Sequence, residues 1–88
     1  MQFIIIETIE HPDKHKTVYY GPYKSRDRAK YIRNQLKEKI EFPDYHLLVN
    51  LYTGLDDLVM LWENKYNPSV KATVKYSIEE LKKANYDT

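Results

Sequence analysis

The chain opens on four consecutive bulky apolar residues, Phe3, Ile4, Ile5 and Ile6, and then alternates through Glu7, Thr8, Ile9 and Glu10. That pattern predicts a strand over residues 3–10 that is buried on both faces at its start and sits centrally in a sheet. Residues 11–16 (HPDKHK) are polar and read as a turn, after which Thr17, Val18, Tyr19 and Tyr20 resume strand character. The two strands are expected to form an antiparallel hairpin, ended by Gly21 and Pro22 because proline cannot donate to a ladder. Ala29, Ile32, Leu36 and Ile40 then recur at spacings of three and four. This spacing defines the buried stripe of an amphipathic helix over residues 25–40, with Ser25 as its N-cap and Asp27 at the positive end of its dipole. Arg28 stands where a reciprocal capping box would need Glu or Gln.

Residues 41–44 (EFPD) form a loop, and residues 45–52 (YHLLVNLY) read as a third strand. A strand, a helix and a strand in this order favour a right-handed parallel crossover. The next segment fits two templates. Thr53 with Asp56, followed by Leu55, Leu58, Val59, Trp62 and Tyr66, matches a capped helix, yet residues 58–63 also suit a strand that turns through residues 65–69 into its neighbour. Residues 70–76 (VKATVKY) alternate as a half-buried strand, and Ser77, Ile78, Glu79 and Glu80 form a capping box for a last helix stopping near Asn85. The expected fold is α+β: one domain over residues 1–88, with a single sheet of three to five strands and helices packed on it. Its element order is ββαβαβα, or ββαββα on the strand reading of residues 58–63.

Composition narrows the class. The chain carries 42% apolar and 31% charged residues, which suits a folded domain. It has no cysteine, which removes disulfides and thiolate metal sites and is compatible with a reducing compartment. The apolar run at residues 3–6 is too short for a signal peptide or a membrane span, so a cytoplasmic protein is expected. Net charge is +1, unevenly distributed. Residues 11–40 hold nine Lys/Arg against three Asp/Glu, and residues 41–64 hold five acids and no Lys or Arg. Segregated charge of this kind can steer a partner or a second copy of the chain.

Little in the sequence points to catalysis. His11, Asp13 and His15 are metal-ligand types, but they sit in a polar hairpin tip without an evident fourth ligand. Asp56 and Asp57 could act as paired acids, although acids in a first helical turn need no substrate to account for them. The two glycines, Gly21 and Gly54, are too far apart for a phosphate loop. No cofactor is expected, and the chain reads as a non-enzyme.

The candidate binding surface lies in residues 19–37. Arg26, Lys30, Arg33 and Lys37 fall on one stripe about a quarter turn from the apolar one. Tyr19, Tyr20 and Tyr23 lie just upstream, and nine tyrosines stand in the whole chain against two phenylalanines. Tyrosine and arginine suit protein interfaces, so protein recognition by these seven residues is expected, with Tyr31 as a further surface candidate and Tyr45, Tyr52 and Tyr66 closing the packing edges. The same stripe could instead hold nucleic-acid phosphates, or basic and acidic segments could meet between copies in a homodimer.

The run GPYKSRDRAKYIRNQL, with the hairpin before it, resembles the strand, Gly-Pro-aromatic turn and Ser-capped helix of many small uncharacterised bacteriophage and bacterial proteins. The resemblance covers residues 2–40. It implies a small phage-type accessory protein that binds and inhibits a host protein or protein complex, and it brings no catalytic residue.

Overall fold

The computed structural model describes residues 1–54 and 56–82. Its elements are β1 (Gln2–His11), β2 (Lys14–Tyr23), α1 (Arg26–Glu38), β3 (Tyr45–Thr53), β4 (Asp57–Asn64) and β5 (Lys71–Leu81). The five strands form one sheet in the order β2-β1-β5-β4-β3, and every neighbouring pair is antiparallel. With 59% of the described residues in strands and 16% in the helix, the fold is mostly β, which corrects the helix-rich α+β expectation. Among the described residues the order is ββαβββ, with one helix where two or three were expected.

Each departure has a physical origin. Residues 58–63 take the strand alternative, because Leu58, Met60 and Trp62 face Tyr76, Val74 and Ala72 of β5, a match of apolar pairs that a helix would forgo. The capping box at residues 77–80 is likewise overridden. Ser77, Ile78, Glu79 and Glu80 pair with Ile6, Ile5, Ile4 and Phe3, so β5 continues to Leu81 and supplies the second partner that β1 requires. Residues 83–85 of that expected helix lie outside the described residues, as does Leu55.

The parallel crossover is also corrected. β2 and β3 do point the same way, but α1 carries the chain from one edge of the sheet to the other, so they never pair. β2 starts at Lys14, directly after the turn at Pro12 and Asp13, and runs through Gly21 and Pro22 to Tyr23. An edge strand tolerates that proline, and the register shifts between Phe3 and Ile5 where it pairs with this segment. Gly21 has φ +123°, and a Cβ there would stand 3.0 Å from the Phe3 carbonyl oxygen. Glycine is therefore required at this crossing.

Alternation decides the core. Phe3, Ile5 and Ile9 of β1, Ala72, Val74, Tyr76 and Ile78 of β5, and Leu58 and Met60 of β4 share one face and are buried, together with Ala29 of α1 and Phe42. Each fully buried aliphatic of this set contributes about 1.5–3 kcal/mol relative to exposure. The helix is capped as expected, with the Ser25 hydroxyl accepting from the Arg28 amide at 3.1 Å. Ile32, Leu36 and Ile40 pack against the core from the same stripe as Ala29.

Candidate functional site

The helix backbone lies over β2, β1 and β5 and stops short of β4 and β3. The gap is spanned by the cationic row. Arg26 donates to a carboxylate oxygen of Asp56, Lys30 stands 3.2 Å from the other oxygen, and Arg33 donates to the Asp56 main-chain carbonyl. Asp56 lies in the β3–β4 turn and is 3% exposed. Lys37 donates to the Tyr52 hydroxyl at 3.0 Å, and the Arg33 guanidinium and the Lys37 ammonium lie over the Tyr52 ring at 5.2 and 5.4 Å. All four cations thus tether the helix to the β3–β4 hairpin, and their long stems cover the apolar surface beneath.

Burial works to raise the Asp56 carboxyl, but hydrogen bonds and charge from Arg26 and Lys30 outweigh it and hold the group below its ordinary value. Arg33 is itself buried, with Nε and Nη2 donating to the Asn34 side-chain oxygen at 3.3 and 3.1 Å. Arg33 was expected on the open cationic stripe, but residue 33 follows Ala29 by four and borders the apolar stripe, a spacing that signals its burial.

The tyrosines separate. Tyr20 and Tyr23 pack against the core, whereas Tyr19 and Tyr31 are exposed. Tyr45 packs beside Phe42, but Tyr52 and Tyr66 are largely exposed rather than closing the packing. The sequence reading also passed over Glu7. It shares the odd-numbered inward positions with Phe3, Ile5 and Ile9, a parity that signals its burial. Its carboxylate accepts from Tyr76 at 2.6 Å and from Tyr20 at 3.2 Å.

Three tyrosines should titrate in a definite order. Burial and the adjacent Glu7 carboxylate push Tyr76 and, less strongly, Tyr20 upward, whereas the hydrogen bond from Lys37 draws Tyr52 down against the opposing effect of burial. In an ultraviolet titration Tyr52 is expected to ionise first, Tyr20 late and Tyr76 last. A raised folded value means that the stability linked to Tyr76 is complete below the unfolded value of about 10 and is lost as pH rises through the folded value. Substituting Tyr76 with phenylalanine should remove the latest phase, and its persistence would contradict the assignment.

His11 and Asp13 do meet, with the Asp13 amide donating to His11 Nδ1 at 3.1 Å, but His15 pairs across the hairpin with Glu10. Among the described residues no group of three or more His, Asp or Glu side chains is placed to hold a metal ion. His11 instead lies 5.0 Å from the rings of both Phe42 and Tyr45. Asp57 is exposed, so the two acids of the turn do not share an environment.

Among the described residues no element lies over the face opposite the helix. Strand register places Ile4 and Ile6 of β1 there beside Tyr19, and Val59 and Leu61 of β4 beside Leu51 and Val49 of β3. These two aliphatic strips flank a polar row on β5 made by Thr73, Lys75 and Ser77. A shallow depression of about 280 Å³ is lined in part by Ile6, Thr8, Val59 and Lys75. Among the described residues no helix is long and apolar enough to cross a membrane. No protein-family model, no curated protein and no solved structure matches the chain.

Proposed function

We propose that this chain is a non-enzymatic binding protein that docks on a larger host protein and modulates it, as the resemblance of residues 2–40 to small phage-type proteins suggests. The observation that carries the reading is the helix-free sheet face, where aliphatic strips and Tyr19 flank Lys75. An uncovered apolar surface of this kind is characteristic of interaction sites. Its partner is a protein surface with apolar residues around an acidic group that meets Lys75. Of the seven residues expected to bind, Tyr19 retains that role, because Tyr20 and Tyr23 pack inward and the four cations are engaged with Asp56 and Tyr52. The same engagement weighs against the nucleic-acid alternative, which needs those cations for phosphates.

The test is capture from a bacterial lysate, followed by binding measurements with the purified captured protein. Tyr19→Ala and Lys75→Glu, both at exposed positions, are each expected to weaken binding about tenfold, in the range of a 1.4 kcal/mol loss. Arg28→Ala, on the helix side, should leave it unchanged. Binding that ignores both face variants would overturn the assignment of the surface, and capture of nucleic acid with steep salt dependence would favour the alternative.

A further inference from the structure

We infer that β3 is the seam at which two copies of this chain join, edge to edge, into one continuous ten-stranded antiparallel sheet. The two edges of the sheet differ in kind. β2 carries Lys14, Lys16 and Pro22, features that discourage another strand from adding to it. β3 contains no Lys, Arg, Asp, Glu or Pro in nine residues. Leu47, Leu48, Val49, Leu51 and Tyr52 are all exposed along it, with Leu51 the most exposed of the aliphatics at 54%. Among the described residues no element covers this edge, and a long apolar edge of this kind is a template for pairing.

The occupant must be an extended segment whose own residues oppose those of β3 without placing like charges together. A second β3 meets that requirement under a two-fold axis. The register break between Leu47 and Val49 leaves Val49 to Thr53 as the regular run. Centred on Leu51, it sets Leu51 against its own copy, Val49 against Thr53 and Asn50 against Tyr52. The contact is isologous, and both outer edges of the product are β2 strands guarded by lysine and proline, so assembly closes at two copies. The axis stands perpendicular to the sheet and leaves both helix-free faces on the same side. This goes beyond the docking proposal, which concerns a face rather than an edge. The two-fold also brings Lys37, held on Tyr52, toward its copy, so the dimer tightens as salt rises.

Sedimentation or light scattering over a range of concentrations tests the seam. The wild type is expected at twice 10.6 kDa and Leu51→Lys at the monomer mass, with association weakened at least tenfold. The chain has no cysteine, so Leu51→Cys gives a clean second readout. Directly opposed strand positions lie about 4.5–5.5 Å apart, within disulfide reach, and oxidation should yield a covalent dimer, whereas the more exposed Tyr19→Cys should not. A wild type that stays monomeric, a dimer that survives Leu51→Lys, equal cross-linking by both cysteine variants, or a dimer that dissociates with salt would each overturn the seam. These readouts are mass and cross-linking, so failure here is separable from failure of partner capture.

Discussion

Asp56→Ala is expected to destabilise the protein by about 3 kcal/mol, the lower end of the range for breaking a buried ion pair. The buried carboxylate serves Arg26 and Lys30, and its removal leaves both cations without their counter-charge. The figure lies low because Arg26 and Lys30 are themselves about two-fifths exposed, so water screens part of the interaction. Such a loss is a large part of the roughly 5–15 kcal/mol that holds a domain together. Asp57→Ala, one residue along and exposed, should fall within about 0.5 kcal/mol of wild type. Urea denaturation midpoints make the comparison.

Acid adds a second signature. Because the folded Asp56 carboxyl lies below the unfolded value of about 3.9, its stabilisation is complete well above that pH and is lost as pH falls through the folded value. Glu63, held down by the hydrogen bond from Lys71, acts in the same direction. The informative quantity is therefore the difference between wild type and Asp56→Asn, which should shrink in acid. A difference that is absent at neutral pH would remove the tethering role of the cationic row.

Tyr76→Phe is expected to cost about 1.5–3 kcal/mol, the usual contribution of a hydrogen bond to a charged group. Glu7 and Tyr76 are both buried, and the lost hydroxyl leaves the carboxylate with Tyr20 as its remaining tyrosine donor. Removing both ends together should cost less than the two single changes summed, since an apolar pair leaves no unmet charge. A double-mutant cycle with Glu7→Leu measures this coupling. Additive losses, or a Tyr76→Phe variant as stable as wild type, would show that the buried carboxylate does not depend on that hydroxyl.

What the sequence revealed followed the range of its signals. The Ser25 cap and the stripe through Ala29, Ile32 and Leu36 are local, and both were legible. The first hairpin was also visible from the alternation in residues 3–10 and 17–20. Residues 58–62 form an unbroken apolar run that suits either helix or strand, and only the distant register of Met60 with Val74 decides between them. The capping box at Ser77 was overridden for the same reason, because β1 supplied a backbone partner some seventy residues earlier in the chain.

The candidate site shows the same division. The four cations could be aligned on the helix by angle alone. Their counter-charge could not, because Asp56 lies 30 positions from Arg26 and reads locally as an acid opening a helix. Glu7 and Arg33 were within reach of parity and helical spacing, but polar residues at inward positions are easily assigned to the surface. The uncovered face emerged only with the strand order.

The central pairing of β1 with β5 has a kinetic consequence. The hydrogen bond between Tyr76 and Glu7 spans 69 positions, so the middle of the sheet closes only when segments far apart in sequence meet. Loop closure of that length must precede its reward, which slows folding relative to domains built from neighbouring contacts. During synthesis the first hairpin and the helix leave the ribosome before β5, with one side of β1 still unmatched and in need of shielding from other nascent chains.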